Sequence, residues 1–218
     1  MQFPFTAAQF IDMFTRYNAA IGPMPLVAYA LGALALGLVL RGRRAVDAVV
    51  GLVLAGMWAF TGIVCHLMYF SPINPAARIF AIAFVIQAVV FAVEGLRGRL
   101  HFGFTPDARG ITGLVLALWA MVGYPLAGLA LGHGYPNGPV FGLTPCPLVI
   151  FTLGLLLMSR RAPRFVGIIP VLWAVVGTMA AFAFGIREDL TLGASALVWV
   201  AFALRFKRAE RLAVAPQA

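Results

Sequence analysis

Residues 24–44 read MPLVAYALGALALGLVLRGRR, an uncharged apolar run from Met24 to Leu40 followed at once by Arg41, Arg43 and Arg44. A helix that crosses a bilayer needs about 20 largely apolar residues, and arginines just beyond such a run are retained on the cytoplasmic side. The pattern recurs along the chain. Further apolar runs extend from Ala45 to Tyr69, Pro75 to Leu96, Gly110 to Leu131, Pro145 to Met158, Val166 to Gly185 and Leu190 to Phe206. Together they predict an all-α fold, a polytopic membrane helix bundle of about seven transmembrane helices.

The run from Pro145 to Met158 is shorter than a bilayer core and reads also as a partial or re-entrant helix. Without it the count is six. Charge decides between the two: with seven spans Arg41, Arg43, Arg44, Arg97, Arg99, Arg109, Arg160, Arg161, Arg164, Arg205, Lys207, Arg208 and Arg211 fall on one side, and only Arg16, Arg78 and Arg187 fall opposite. Six spans would split the basic loops. The reading is therefore N-terminus out and C-terminus in.

The formal net charge of +9 follows from this topology. It implies a lipid bilayer with anionic headgroups as the partner and no nucleic acid. Arg16 is the one basic residue before the first apolar run, and the segment that holds it reads otherwise, so a secretory signal is not expected. Residues 1–22 instead read as an amphipathic interfacial segment: Thr6 can cap a short helix with Phe10, Ile11, Phe14 and Tyr17 on one face and Gln9, Asp12, Arg16 and Asn18 mostly on the other. Lying in the outer interface is its simplest role, and lidding an outer cavity is the alternative. Residues 23–208 form the transmembrane domain and 209–218 a cytoplasmic tail.

The outer segments collect Pro, Gly, His, Tyr and Cys, whereas the inner loops are basic turns. Candidate ligand-binding residues are therefore His66, Tyr69, Asn74, His133, Tyr135, Thr144 and Cys146. Asn74-Pro75 and Thr144-Pro145 both read as N-cap plus first helical residue, which would aim two positive helix ends outward. Each follows a His and a Tyr, a pattern that suggests either a repeated hairpin or simply Pro-rich outer turns. Water channels carry two Asn-Pro-Ala triplets, and this chain has one. His66 shares a helix side with Gly62 and Tyr69, with room at Gly62 for a ligand or a neighbouring helix.

His66 and His133 are the candidate metal ligands, with a thiol, Tyr or carboxylate completing a copper or zinc site, although no HxxxH or CxxC spacing supports it. Cys65 and Cys146, both near the outer boundary, read as packing residues, a disulfide or reactive thiols. Gln87 is expected to bond between helices, Glu94 to pair with Arg97 and Arg99, Asp12 to pair with Arg16, and Glu188 and Asp189 to cap the last span. Pro125 and Pro170 are expected to bend spans four and six. The only lysine, Lys207, lies beyond the last apolar run, so no retinal Schiff base can form. No catalytic set such as Ser/His/Asp or HExxH is present.

Arg16-Tyr17-Asn18 with Pro23, His66 with Ile73-Asn74-Pro75-Ala76-Ala77, Gly132-His133-Gly134-Tyr135-Pro136, and Pro145-Cys146-Pro147 with Ile150-Phe151-Thr152 give the chain its likeness to known sequences. It resembles a bacterial integral membrane family catalogued only as a domain of unknown function. The resemblance implies an inner-membrane location and supplies no activity, substrate or cofactor. Three expectations follow: an outward-facing binding or permeation site for a small solute or ion, a metal- or haem-binding redox protein, or an accessory subunit whose abundant Gly and Ala pack against a homo-oligomer or membrane-complex partner. No acidic proton relay is expected, which argues against active transport.

Overall fold

The computed structural model describes residues 4–43 and 46–214, with side chains described up to Arg205. Arg44, Ala45, residues 215–218 and the side chains of Lys207, Arg208 and Arg211 lie outside the described residues. The chain is overwhelmingly helical. Helix α1 spans Ala7–Ala20 and α2 Met24–Arg41. Next, α3 spans Asp47–Phe60 and continues without a break as a π-helix over Thr61–Phe70. Helix α4 covers Ala77–Leu96. Helices α5, Ala108–Leu118, and α6, Tyr124–Ala130, are joined by a π turn at Trp119–Gly123. The central α7 spans Pro145–Leu157, α8 spans Ile168–Phe184, and α9 runs Leu190–Val214, through much of the expected tail.

Among the described residues, five helices are long and apolar enough to cross a membrane: Met24–Arg41, Asp47–Phe70, Ala77–Leu96, Ala108–Ala130 and Arg164–Phe184. Their flanks face outward, with Leu26, Ile79, Leu129 and Phe182 among the exposed apolar side chains. Helix α7 is different. All 13 of its residues are buried, and at 1.5 Å per residue it is roughly 20 Å long, well short of a bilayer core of about 30 Å. A helix apolar all round suits a bundle centre. Helices α5, α8 and α9 surround it, and the irregular backbone before its N-terminus, residues 140–144, is buried in protein, the condition under which non-helical backbone is tolerated at membrane depth.

Glycines set the closest helix crossings. A Cβ added at Gly113 would lie 2.6 Å from the Gly154 carbonyl oxygen, and one at Gly154 would lie 2.7 Å from that of Gly113, so α5 and α7 meet backbone to backbone. Gly51 and Gly95 do the same for α3 and α4. Polar groups bridge helices where they are buried: Trp58 Nε1 donates to Thr152 Oγ1 at 3.0 Å, and Gln87 Nε2 to the Val166 carbonyl at 2.9 Å.

Several local expectations change. The third apolar run becomes helical at Ala77, because Asn74 Oδ1 accepts from Ala76 N at 3.2 Å in a turn that precedes α4. Thr144 does sit at the N-cap of α7, but its hydroxyl closes a turn with Val140 and caps nothing. Pro125 lies just past the π turn. Lacking an N–H, it cannot bond four residues back, and the wider π turn, with Tyr124 N on the Trp119 carbonyl, is how the helix accommodates it. Pro170 falls in the first turn of α8, where a proline requires no bend.

The basic end of the bundle has structure that the apolar pattern does not announce. Strand β1, His101–Phe102, pairs antiparallel with β2, Ser159–Arg161. Buried Asp47 holds it to α3, accepting from Phe102 N at 3.0 Å and meeting His101 Nδ1 at 3.1 Å. Glu94 lies 3.7 Å from Arg97 and 3.6 Å from Arg99 at the same end.

Candidate functional site

At the opposite end α1 covers the bundle. A capping box starts it, with Gln9 N donating to Thr6 Oγ1 and Thr6 N to Gln9 Oε1. The buried face carries Met13, Phe14, Tyr17 and Asn18, while Asp12 and Arg16 pair on the exposed side at 2.5 Å. Tyr17 donates to the Leu143 carbonyl at 2.5 Å. Asn18 Nδ2 donates to the carbonyls of Pro136 at 2.6 Å and Gly138 at 2.9 Å. Burial raises the Tyr17 phenol far above its ordinary pKa, so it remains a neutral donor. Helix α1 is thus pinned to the 136–143 loop and lies over the bundle as a roof.

Beneath the roof is a cavity of about 90 Å³. Phe10 and Phe14 close it from above, Asn74 and Trp173 from the sides, and Cys65, His66, Cys146 and Asp189 supply its chemistry. The π-helix places His66 here: its carbonyl accepts from Ser71 N, five residues on, at 2.9 Å. Such i→i+5 winding recurs at functional sites. The imidazole is fully buried, and neither ring nitrogen has a hydrogen-bond partner. Its neighbours are rings, Phe84 at 4.7 Å and Trp173 at 4.8 Å between centroids, both edge-on. Leaving a polar group buried without a partner costs about 1–3 kcal/mol.

The remaining polar groups converge from the turn before α9. Glu188 and Asp189 are buried, not the surface caps that the sequence suggests. Asp189 accepts from the Tyr124 hydroxyl and from the Cys146 thiol. Burial pushes its carboxyl up to about 6. Both oxygens of Glu188 lack hydrogen-bond partners, although His133 Nδ1 stands 3.3 Å from Oε1, an ion-pair distance without hydrogen-bond geometry. Half-exposed His133, buried Glu188 and buried Asp189 thus bring ionisable groups from the outer loops to the two cavities.

The expected site residues divide. His66, Asn74 and Cys146 line the roofed cavity. His133 and Tyr135 line a second one of about 350 Å³ beside it, with Tyr29, Tyr124 and Glu188. Tyr69 stacks edge-on against Tyr17 beneath α1, at 5.4 Å between centroids, and Thr144 is absorbed in its turn. His66 and His133 thus stand in separate cavities. Among the described residues no group of three or more His, Cys, Asp or Glu is placed to hold a metal ion. Cys65 and Cys146 are free thiols on the same cavity. Gly62 accommodates the neighbouring helix, since a Cβ there would lie 2.9 Å from Phe84 Cβ. Tyr124, Trp173, Glu188 and Asp189 are the participants that sequence reading missed as site residues.

A model of a family of unknown function, DUF6064, matches residues 7–214. The chain belongs to that family. The match covers the roof helix, the second cavity, the basic end and all of the roofed cavity's lining except Phe5. No curated protein and no solved structure matches the chain.

Proposed function

We propose that the protein is a seven-span inner-membrane bundle, N-terminus out and C-terminus in, that binds a small, largely apolar solute carrying one hydroxyl or comparable donor in the roofed cavity at its outer end. The observation that carries the reading is His66: a fully buried imidazole, ringed by aromatic side chains and with two partnerless nitrogens, on a residue that lines the cavity. A ligand that donates to the ring nitrogen and lays an apolar body against Phe84 and Trp173 removes that cost.

The size of the cavity supports a small solute over haem, since drug-sized ligands occupy about 300–1,000 Å³ against about 90 Å³ here. Binding is favoured over permeation because Trp58, Phe84, Phe91 and the wholly buried α7 fill the bundle beneath. The orientation rests on arginine placement: Arg41, Arg97, Arg109, Arg160 and Arg164 flank the helix ends remote from α1.

Phenol is the probe, one ring with one hydroxyl, and toluene its apolar counterpart. Purified protein is expected to bind phenol a few-fold to about tenfold more tightly than toluene, the worth of one net hydrogen bond. His66→Phe is expected to abolish that preference. Equal affinities in the unsubstituted protein would contradict the reading.

A further inference from the structure

The second cavity, of about 350 Å³, lies where the first turns of α2, helix α6 and the 133–141 loop meet. Tyr29, Tyr124, Tyr135 and Phe141 give it aromatic walls, with Tyr29 and Phe141 at 5.1 Å between ring centroids. Among the described residues Glu188 is the one carboxyl that lines it. The Glu188 side chain is fully buried, and neither Oε1 nor Oε2 has a hydrogen-bond partner. Oε1 sits between two residues of the cavity wall. His133 Nδ1 stands 3.3 Å away without hydrogen-bond geometry, and a Cβ added at Gly128 would lie 3.5 Å from it, so the bare backbone at Gly128 leaves room beside this oxygen. Adjacent Asp189 differs, since the Tyr124 hydroxyl and the Cys146 thiol already donate to it.

His133 therefore brings a nitrogen near one oxygen of Glu188 without satisfying either. A buried carboxyl group lacking donors is costly, and hydrogen bonds to a charged acceptor are among the strongest. Hard metal ions require several oxygen ligands, and among the described residues no group of three or more His, Cys, Asp or Glu is placed to supply them. A primary ammonium needs only one carboxyl: it brings three N–H donors, and aromatic faces attract a cation. The volume also falls within the roughly 300–1,000 Å³ of small-molecule sites. We propose that the second cavity binds a primary organic ammonium, its nitrogen on Glu188 and its apolar body among Tyr29, Tyr135 and Phe141. The site is distinct from the roofed cavity and does not depend on the solute reading made there.

Full-length protein in detergent near neutral pH is titrated by isothermal calorimetry with benzylammonium, benzyl alcohol and benzyltrimethylammonium. Benzylammonium is expected to bind roughly tenfold more tightly than benzyl alcohol, the difference between a hydrogen bond to a charged group and a neutral one. It is also expected to bind more tightly than benzyltrimethylammonium, which carries the charge without an N–H. Glu188→Gln is expected to lose the preference for the ammonium and still to bind benzyl alcohol, which shows that the cavity is intact.

His66→Phe, a change in the other cavity, is expected to bind benzylammonium as the unsubstituted protein does, so that failure here and failure of the phenol reading are told apart. The titration is then repeated in phosphatidylcholine vesicles with and without phosphatidylethanolamine, whose headgroup is itself a primary ammonium. Competition by that lipid would make a headgroup the source of the ammonium, and undiminished benzylammonium binding a free solute; both uphold the site. Equal affinities for benzylammonium and benzyl alcohol, equal binding of the quaternary ion, a preference that survives Glu188→Gln, or its loss in His66→Phe would each overturn the proposal.

Discussion

The hydroxyl of Tyr124 donates to the carboxyl of Asp189, tying the start of α6 to the turn before α9. Burial pushes this carboxyl up to about 6 and neighbouring Glu188 pushes the same way, while Tyr124, Cys146 and His133 pull it down. His66 shares its cavity and holds no hydrogen bond. Tyr124→Phe removes a donor to the charged form, so the Asp189 pKa is expected to rise beyond about 6. The protonated-carboxyl infrared band, assigned by its loss in Asp189→Asn, follows the titration. A midpoint unchanged or lowered in Tyr124→Phe would contradict the bond.

The same carboxyl links stability to pH. A folded-state pKa of about 6, against an ordinary value of about 3.9, means that the folded protein holds a proton the unfolded chain has lost between those values. Stability therefore falls as pH rises from about 4 through 6, by a total on the order of 2–3 kcal/mol. Asp189→Asn is expected to flatten this part of the profile in thermal unfolding in detergent. An unaltered slope would show that Asp189 does not titrate in this window.

Roof closure depends on Tyr17. Tyr17→Phe leaves the buried Leu143 carbonyl without its donor, a loss of about 1–3 kcal/mol. Hydrogen exchange is expected to speed up in α1 and in the 136–144 loop, and Cys65 and Cys146, both buried, to react faster with a water-soluble thiol reagent. Unchanged exchange and labelling would mean that the roof is held by its apolar face alone.

Helix contact is tested at Gly154. Gly154→Ala places a Cβ 2.7 Å from the Gly113 carbonyl oxygen and 2.9 Å from Ala117 N, overpacking expected to cost about 1–3 kcal/mol. At Gly56 nothing lies within 4 Å of an added Cβ, and Gly56→Ala, in the interior of α3, is expected to be neutral or stabilising by up to about 1 kcal/mol. Similar melting temperatures for the two variants would contradict the α5–α7 crossing.

The helical spans were legible because a long uncharged run with arginines at one end has few alternative readings. Met24–Arg41 and Pro145–Leu157 begin at the expected residues. Helix winding was not legible. In a run as uniformly apolar as Thr61–Phe70, no polar periodicity reports whether the turns are α or π, so the seat of His66 had to come from the backbone. Glu188 and Asp189 read as caps of the last span because acids suit a helix N-terminus. What buries them is a set of partners remote in sequence, Tyr124, His133 and the α1 roof. The His101–Asp47 tie joins two basic-end segments across the bundle, and neither residue stands out in its own neighbourhood of sequence.

The central claim is that the His66 nitrogens await a donor from a bound molecule, and the imidazole reports this directly. In protein labelled with ¹⁵N-histidine, the His66 ring resonances, assigned by their loss in His66→Phe, are followed during a phenol titration. The account predicts a saturable shift of a ring nitrogen toward the hydrogen-bonded value, with no comparable shift for toluene. Ring nitrogens indifferent to phenol, or already hydrogen-bonded before any is added, would contradict it.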